Sequence, residues 1–420
     1  MQSNYKRLGD YIQEVNIRNK DLNNYPLLGV SIQKVLMPSI ANIIGTDMST
    51  YKLIKKNQFA YGPVTSRNGD KISIALAEKQ DHALLSQAYT VFEVVDENEL
   101  HPEYLMMWFK RPEFDRYARF MSHGSAREIF SWTEMCDTLL PIPSLEKQLE
   151  IVREYNVIQN RIKLNNNLIA KLEETAQAIY KQWFVDFEFP DENGLPYKRS
   201  GGKMIESGLG EIPFGWQRNN LGTIKEFTLG GDWGKETNVG NFNEEVYCIR
   251  GADIPTASLG QVGNIPSRFI LTKNLQSRNL EFFDIVIEIS GGSPVQSTGR
   301  CLLVSREYLK YLGKPVVCSN FCRVIKAKND FAIFLFTTIK HLYKADVLFN
   351  YENSSNGVKN LALEDLFKEE LIVVPTKIIV EKFDAVFMRT NNFLTVIGEE
   401  LESLKYLSDL ILSKMTKVSQ

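Results

Sequence analysis

The sequence predicts an α+β (mixed α/β) protein built as two tandem globular domains, each followed by a long helix, with the helices pairing as an antiparallel coiled coil. Three observations predict it. The halves repeat at a constant offset of 232 residues, so that Leu139-Leu140-Pro141-Ile142-Pro143 aligns with Leu371-Ile372-Val373-Val374-Pro375 and Ala126-Arg127-Glu128-Ile129 with Val358-Lys359-Asn360-Leu361. Each copy ends in a long run with an apolar seam. Short β-branched runs precede a helical stretch in both. A period this long means two whole domains rather than a solenoid of small repeats.

Length and composition agree. The 420 residues are 44% hydrophobic and 24% charged, enough for two sizeable cores plus helices. No apolar run approaches the ~18 to 20 residues of a membrane span, and Met1-Gln2-Ser3-Asn4-Tyr5-Lys6 begins no secretory signal, so a cytoplasmic protein without a membrane partner is expected. The cysteines Cys136, Cys248, Cys301, Cys318 and Cys322 are scattered and odd in number, which favours reduced structural thiols over a zinc site.

Within the first domain, Ile72 to Leu76 and Tyr89 to Val95 read as strands and Glu103 to Tyr117 as helix. The second domain repeats the order with Phe283 to Ile289, Phe321 to Ile325 and a helix from about Phe331 to Tyr343. In the first long helix Ile151, Tyr155, Ile158, Ile162, Asn165, Ile169, Leu172, Ala176, Ile179 and Trp183 recur at alternating steps of four and three. The second gives Phe383, Phe387, Thr390, Leu394, Ile397, Leu401, Leu404, Ser408, Ile411 and Met415. Such a seam makes a coiled coil on the order of 50 Å long, with polar Asn165 and Thr390 fixing its register. Two independent amphipathic helices, each lying on its own domain, are the alternative. Pro143 and Pro375 stand just before the helices, where proline does no harm, with Ser144 or Thr376 as N-cap. Residues 190–215, rich in turn formers such as Gly and Pro, form the linker.

A net charge of −2 is low for a nucleic-acid binder, but the charges are segregated. Tyr51 to Lys71 holds Lys52, Lys55, Lys56, Arg67 and Lys71 against Asp70. Asn264 to Lys328 holds ten basic residues against four acids. Either stretch alone could be a solvated face; one in each repeat favours a nucleic-acid partner. Loops combining small polar residues with a cation add Ser122, His123, Ser125 and Arg127 in one half and Ser354, Ser355 and Lys359 in the other. Glycine there permits close backbone approach, and hydroxyls with Arg or Lys suit phosphate or base-edge contact, although ordinary polar turns look the same. Further candidates are Trp233 and Lys235 in a Gly-rich loop, and Ser293, Gln296 and Arg300. Arg67, Gln296 and Arg300 suit bidentate base contacts, and Trp233 either stacks on a nucleotide or anchors its own loop.

Catalytic motifs are missing. There is no Asn-Pro-Pro-Tyr-type motif, no Gly-rich cofactor loop after a strand and no P-loop, so neither methyl transfer from S-adenosylmethionine nor ATP-driven translocation is encoded. His82, His101, His123 and His341 are dispersed without ligand spacing, so no metal is expected. Asp284 and Glu288 read as solvated surface on a strand edge rather than as a nuclease site.

The chain resembles the specificity subunits of type I restriction-modification enzymes. The resemblance rests on Leu140-Pro141-Ile142-Pro143-Ser144-Leu145-Glu146-Lys147-Gln148 leading into the first helix and on Leu172 to Glu188 closing it. Ser207-Gly208-Leu209-Gly210-Glu211-Ile212-Pro213-Phe214-Gly215-Trp216, which introduces the second domain, completes it. The second half departs where Thr376-Lys377-Ile378-Ile379-Val380 replaces the Pro-x-x-Glu-x-Gln pattern. The resemblance implies target-recognition domains at 1–143 and 216–375 and spacer helices at 144–189 and 376–420. It implies a non-catalytic chain whose domains each read one half of a split, asymmetric site on double-stranded DNA. The helices, through Ile158, Ile162, Ile169, Leu172, Ile179, Trp183, Leu394, Ile397, Leu401, Leu404 and Ile411, would act as ruler and docking rod for two methyltransferase subunits and, through them, restriction/translocase subunits. Spacer length would then follow helix length, against a duplex turn of ~34 to 36 Å. S-adenosylmethionine, ATP and Mg2+ would belong to those partners, with no cofactor in this chain. A stand-alone DNA-binding coiled-coil scaffold or repressor, or the specificity subunit of a related bipartite-site system, would share the architecture.

Overall fold

The computed structural model describes residues 5–41, 44–66, 68–124, 127–208, 210–291, 295–355 and 358–417. The chain divides into two compact units, residues 1–163 with 404–420, and residues 164–403. The division falls inside both long helices, so each unit holds one domain and part of each helix.

The first unit is organised by a four-stranded antiparallel sheet in the order Ile12–Val15, Thr90–Val94, Gln58–Tyr61, Ile74–Leu76. A second sheet joins Leu36–Pro38, Leu27–Val30, Ala83–Leu85 and Lys52–Ile54. The core is aromatic: Phe59 and Phe92 stack at 4.8 Å, with Phe109 edge-on to both. Burying such rings gives the domain most of its hydrophobic stabilisation. The stretch from Glu103 to Tyr117 is two helices, Pro102–Lys110 and Pro112–Phe120, rather than one. Pro112 forbids helical backbone at Arg111, which is extended at φ −70°, ψ 136°.

In the second unit the same sheet order returns with Lys225–Gly230, Cys322–Ala327, Ile285–Glu288 and Cys301–Leu303. The helix that follows is Ala332–Lys344, whose inward face is buried from Ala332 to Ile339. In both domains the first strand pairs antiparallel with the last one before the long helix, Tyr5–Arg7 with Leu139–Pro141 and Gln217–Asn220 with Leu371–Val374. Each domain is thus closed by its own ends.

The long helices are Leu145–Tyr180, continued as a π-helical turn over Lys181–Val185, and Lys377–Lys414. Phe187 takes the left-handed conformation that ends the first, φ 59°, with its ring edge-on to Trp216 at 5.6 Å. The helices pair antiparallel in both units. In the first, Gln159 Nε2 donates to Ser408 Oγ at 2.9 Å, and Leu412 and Met415 enter the same core as Ile151, Val152 and Tyr155. In the second, Asn165 Nδ2 donates to Glu400 Oε2 at 3.0 Å, while Tyr180 and Trp183 pack on Phe383. Asn165, Ile169, Trp183, Leu394, Ile397 and Leu401 are buried, and Ile158, Ile162, Leu172, Ile179, Leu404 and Ile411 half-buried. A buried Asn satisfied only in one pairing holds the register, the role expected of it.

The second helix also packs on its own domain. Gly398 is buried, and a Cβ there would lie 1.5 Å from the Leu259 carbonyl oxygen. Only glycine lets that turn against the helix. The two readings of the helices, paired with each other or laid on their domains, are both partly realised in the second unit.

Gln148 explains the motif at the first helix start. Fully buried, it accepts from the His101 backbone N–H at 2.8 Å and donates to the carbonyls of Glu99 at 2.8 Å and Pro143 at 2.9 Å. Its amide satisfies three backbone groups that would otherwise be buried without partners. At the equivalent place in the second half Val380 is fully buried among apolar neighbours, so the departure from the pattern exchanges a polar lock for apolar packing.

Candidate nucleic-acid interface

In the first unit two loops far apart in sequence are joined into one ledge. Val64 bridges Ile129, the Thr65 N–H donates to the Glu128 carbonyl at 3.0 Å, and the Phe130 N–H donates to the Pro63 carbonyl at 2.9 Å. His123 and Ile129 exchange both backbone hydrogen bonds, closing the loop between them. Gly124 stands there at φ 139°, with the Arg127 carbonyl 2.1 Å from where a Cβ would be. The close approach that the glycine permits is therefore to its own loop.

Of the eight first-domain candidates, Lys71, Ser122, His123 and Arg127 lie on or beside this ledge. His123 is exposed, with Nε2 3.3 Å from Glu134 Oε1, and Ser122 Oγ donates to the Ala118 carbonyl at 2.6 Å. Glu134 is already engaged in a capping box with Ser131. Lys71 and Arg127 are exposed and, among the described residues, form no ion pair. Lys55 and Lys56 are equally exposed but lie in the turn at the other end of strand Gln58–Tyr61, apart from the ledge. Arg67 and Ser125 lie outside the described residues.

The second unit builds the corresponding ledge from strand Ser290–Gly291 and the hairpin Glu352–Ser355 with Val358–Leu361. Its electrostatics differ. Arg300 is held by a carboxylate: its Nε and Nη2 donate to the two oxygens of Glu288 at 2.9 and 2.6 Å, and these bonds raise its pKa. Lys359 lies 2.9 Å from Glu352, which also accepts from the Thr298 backbone and hydroxyl, and Gln296 donates to the Tyr343 hydroxyl at 3.0 Å. Ser354 and Ser355 belong to the hairpin strand, their side chains lying outside the description, as does Ser293 altogether. Bidentate base contact by Arg300 would require breaking its pair with a carboxylate only 3% exposed.

Asp284 and Glu288 correct an expectation of the sequence. Both are buried rather than solvated, because Lys326 Nζ sits 2.7 Å from Asp284 and Arg300 clasps Glu288. Burial pushes the Asp284 carboxyl up, against Lys326, which pulls it down. Much of the second basic stretch is consumed in this way. Lys314 pairs with Glu245 at 2.7 Å, Arg278 donates to the Gly231 carbonyl at 2.5 Å, and the buried Arg268 donates to the Trp233 carbonyl at 3.0 Å. The Arg268 guanidinium also lies 4.2 Å above the Trp233 ring, which packs on the cluster of Val246, Cys248, Ile270 and Val317. Trp233 is a packing anchor on that face. Lys235 beside it is exposed, while its backbone pairs with Phe269.

The remaining chemistry is structural. Burial pushes the Cys248, Cys301 and Cys322 thiols up to about 12, which leaves them protonated and unreactive. Among the described residues no cluster of His, Cys, Asp or Glu could hold a metal ion, and no helix is long and apolar enough to cross a membrane.

Residues 9–174 match the type I restriction modification DNA specificity domain. The specificity subunit of the type I restriction enzyme HindI from Haemophilus influenzae is 26% identical over 189 residues, covering 43% of this chain and 40% of that one. The MjaIX specificity subunit of Methanocaldococcus jannaschii is 22% identical over 329 residues, 77% of this chain and 70% of the relative. The fold is that of the S subunit of a type I restriction-modification system from M. genitalium, with a TM-score of 0.55 at 14% identity over 99% of this chain and 96% of that one. The matched domain, the doubled sheet order and the paired helices converge: residues 9–174 carry the DNA specificity domain, and over most of its length the chain is similar to type I restriction-modification specificity subunits.

Proposed function

We propose that this chain is the DNA-reading subunit of a type I restriction-modification complex and that each of its domains reads one half of a split, asymmetric site. The observation that carries this is the recurrence, in both units, of one sheet order with a two-loop ledge beside it. A single reader needs one such ledge, whereas a bipartite site needs two. The paired helices join the readers and offer the docking surface for methyltransferase subunits, two being expected, which recruit the restriction/translocase subunits. Methyl transfer, with S-adenosylmethionine, and cleavage, with ATP and Mg2+, belong to those partners, and this chain supplies recognition without catalysis.

Purified alone, the full chain is expected to bind duplex DNA with an affinity that falls steeply with salt, since phosphate contacts release counterions. Supplied with labelled S-adenosylmethionine it should incorporate no methyl groups until its methyltransferase is added. Incorporation by the chain alone would show a catalytic subunit. Failure to co-purify with a co-expressed methyltransferase would favour a stand-alone scaffold or repressor.

A further inference from the structure

A cleft of about 620 Å³ in the first unit lies between the turn at 31–35, the break between helices Pro102–Lys110 and Pro112–Phe120, and the paired long helices of that unit. Four lysines line it, Lys34, Lys71, Lys110 and Lys405, with only Asp115 and Asp409 as carboxylates. Asp115 is spent locally: Lys34 Nζ lies 2.8 Å from it, and it also accepts the Ile72 N–H at 3.1 Å. Lys34 is itself tightly held, in left-handed backbone at φ 64°, its ammonium also donating to the Phe109 carbonyl. Lys110 lies 5.4 Å above the Tyr155 ring and has no carboxylate at ion-pair distance among the described residues. The ammonium groups feel one another, since Lys71 and Lys110 add to the burial that lowers the Lys34 pKa, against the pull of Asp115.

Lysines outnumber carboxylates in this lining by four to two, although Glu78 and Glu103 also act on Lys110, and the concavity focuses that positive excess on whatever enters. Ammonium groups are compact point charges, suited to phosphate rather than to the bidentate reading of a base edge. Lys71 supplies the link to function: it ends the loop whose beginning, at Pro63 to Thr65, is stitched into the ledge. Cleft and ledge therefore share one segment of chain. We propose that the cleft of Lys34, Lys71, Lys110 and Lys405 holds a backbone phosphate of the bound duplex, a sequence-independent contact that seats the first domain on DNA. This rests on the DNA-reading function proposed above.

Lys405 decides the matter, because it stands on the second long helix and not on the ledge. Binding of the full chain is followed by fluorescence anisotropy over a salt series, on a duplex carrying the mapped site and on one with its words scrambled. Lys405→Glu, and the double variant Lys71→Gln with Lys405→Gln, should each flatten the slope of log K against log[salt] by about one contact, near 0.9, because both empty the same phosphate seat. Affinity should fall on the order of tenfold for both duplexes, with their ratio preserved. Lys171→Gln, which replaces an exposed lysine that pairs with Glu174, should change neither. An unchanged slope in the double variant overturns the cleft while leaving DNA reading intact, and so does a loss confined to the mapped site. Saturation of the cleft by inorganic pyrophosphate, seen as a melting-temperature rise that Lys405→Glu abolishes although DNA binding is unaffected, would also overturn it by assigning the site to a free anion. Absence of salt-dependent duplex binding by the wild-type chain instead overturns the underlying function.

Discussion

Replacing residues 1–143 with the matching domain of a relative of different specificity is expected to change one half of the methylated site and leave the other half and the gap between them untouched. The fold makes this exchange mechanically plausible. Strand Tyr5–Arg7 pairs with Leu139–Pro141, so both ends of the replaced segment meet in one short ladder and the domain closes on itself. Across the cut, Gln148 bonds only to backbone groups, the His101 N–H and the Glu99 and Pro143 carbonyls, which any donor of the same fold presents. The donor must also keep an apolar face for Ile151, Val152 and Tyr155, whose packing in the first core comes from the helix side of the cut. Methylome sequencing of cells carrying the hybrid with its methyltransferase reads the result. Alteration of both halves would mean that the domains do not read separately.

Arg300→Ala is expected to destabilise the second unit strongly. It strips a doubly hydrogen-bonded partner from Glu288, a carboxylate 3% exposed, and an uncompensated buried charge costs about 3 to 5 kcal/mol. Partial exposure of Arg300 places the expectation at the low end, about 3 kcal/mol, measured by urea unfolding of the full chain. Adding Glu288→Gln should recover part of the loss, because the stranded charge is then gone. The same pair of variants separates a structural arginine from a base-reading one. A direct reader would lose DNA binding with less than about 0.5 kcal/mol of stability, the range of surface substitutions, and Glu288→Gln would rescue nothing.

The parts of this fold that the sequence displays are those governed by local periodicity. The helix seam was visible because Ile158, Ile162, Ile169 and their counterparts follow the 3.6-residue repeat whatever they pack against. The repeat of Leu139 to Pro143 in Leu371 to Pro375, with Leu first and Pro last in both, marked where each domain ends, but not that these segments are the strands that close it. Pro112 announced the break at Arg111, yet the stretch reads as one helix when apolar spacing alone is followed. The electrostatics were hidden. Arg300, Lys326 and Lys314 look like a basic face only until Glu288, Asp284 and Glu245 are brought against them, and strand pairing rather than chain proximity does that for Lys326 and Lys314. Gln148 was legible as part of a motif but not as a lock, because its three partners are backbone atoms, which no sequence pattern marks. Of the cleft lysines Lys71 was a candidate, but Lys34, Lys110 and Lys405 escaped for a similar reason, since the four come from separate segments.

The central claim is that one chain carries two separate DNA readers joined by its paired helices. Genome-wide adenine-methylation mapping in cells expressing the chain with its methyltransferase tests it most directly. The account predicts two short, unrelated words separated by a gap of constant length and indifferent sequence. A single contiguous word, or two words whose gap varies from site to site, would contradict it.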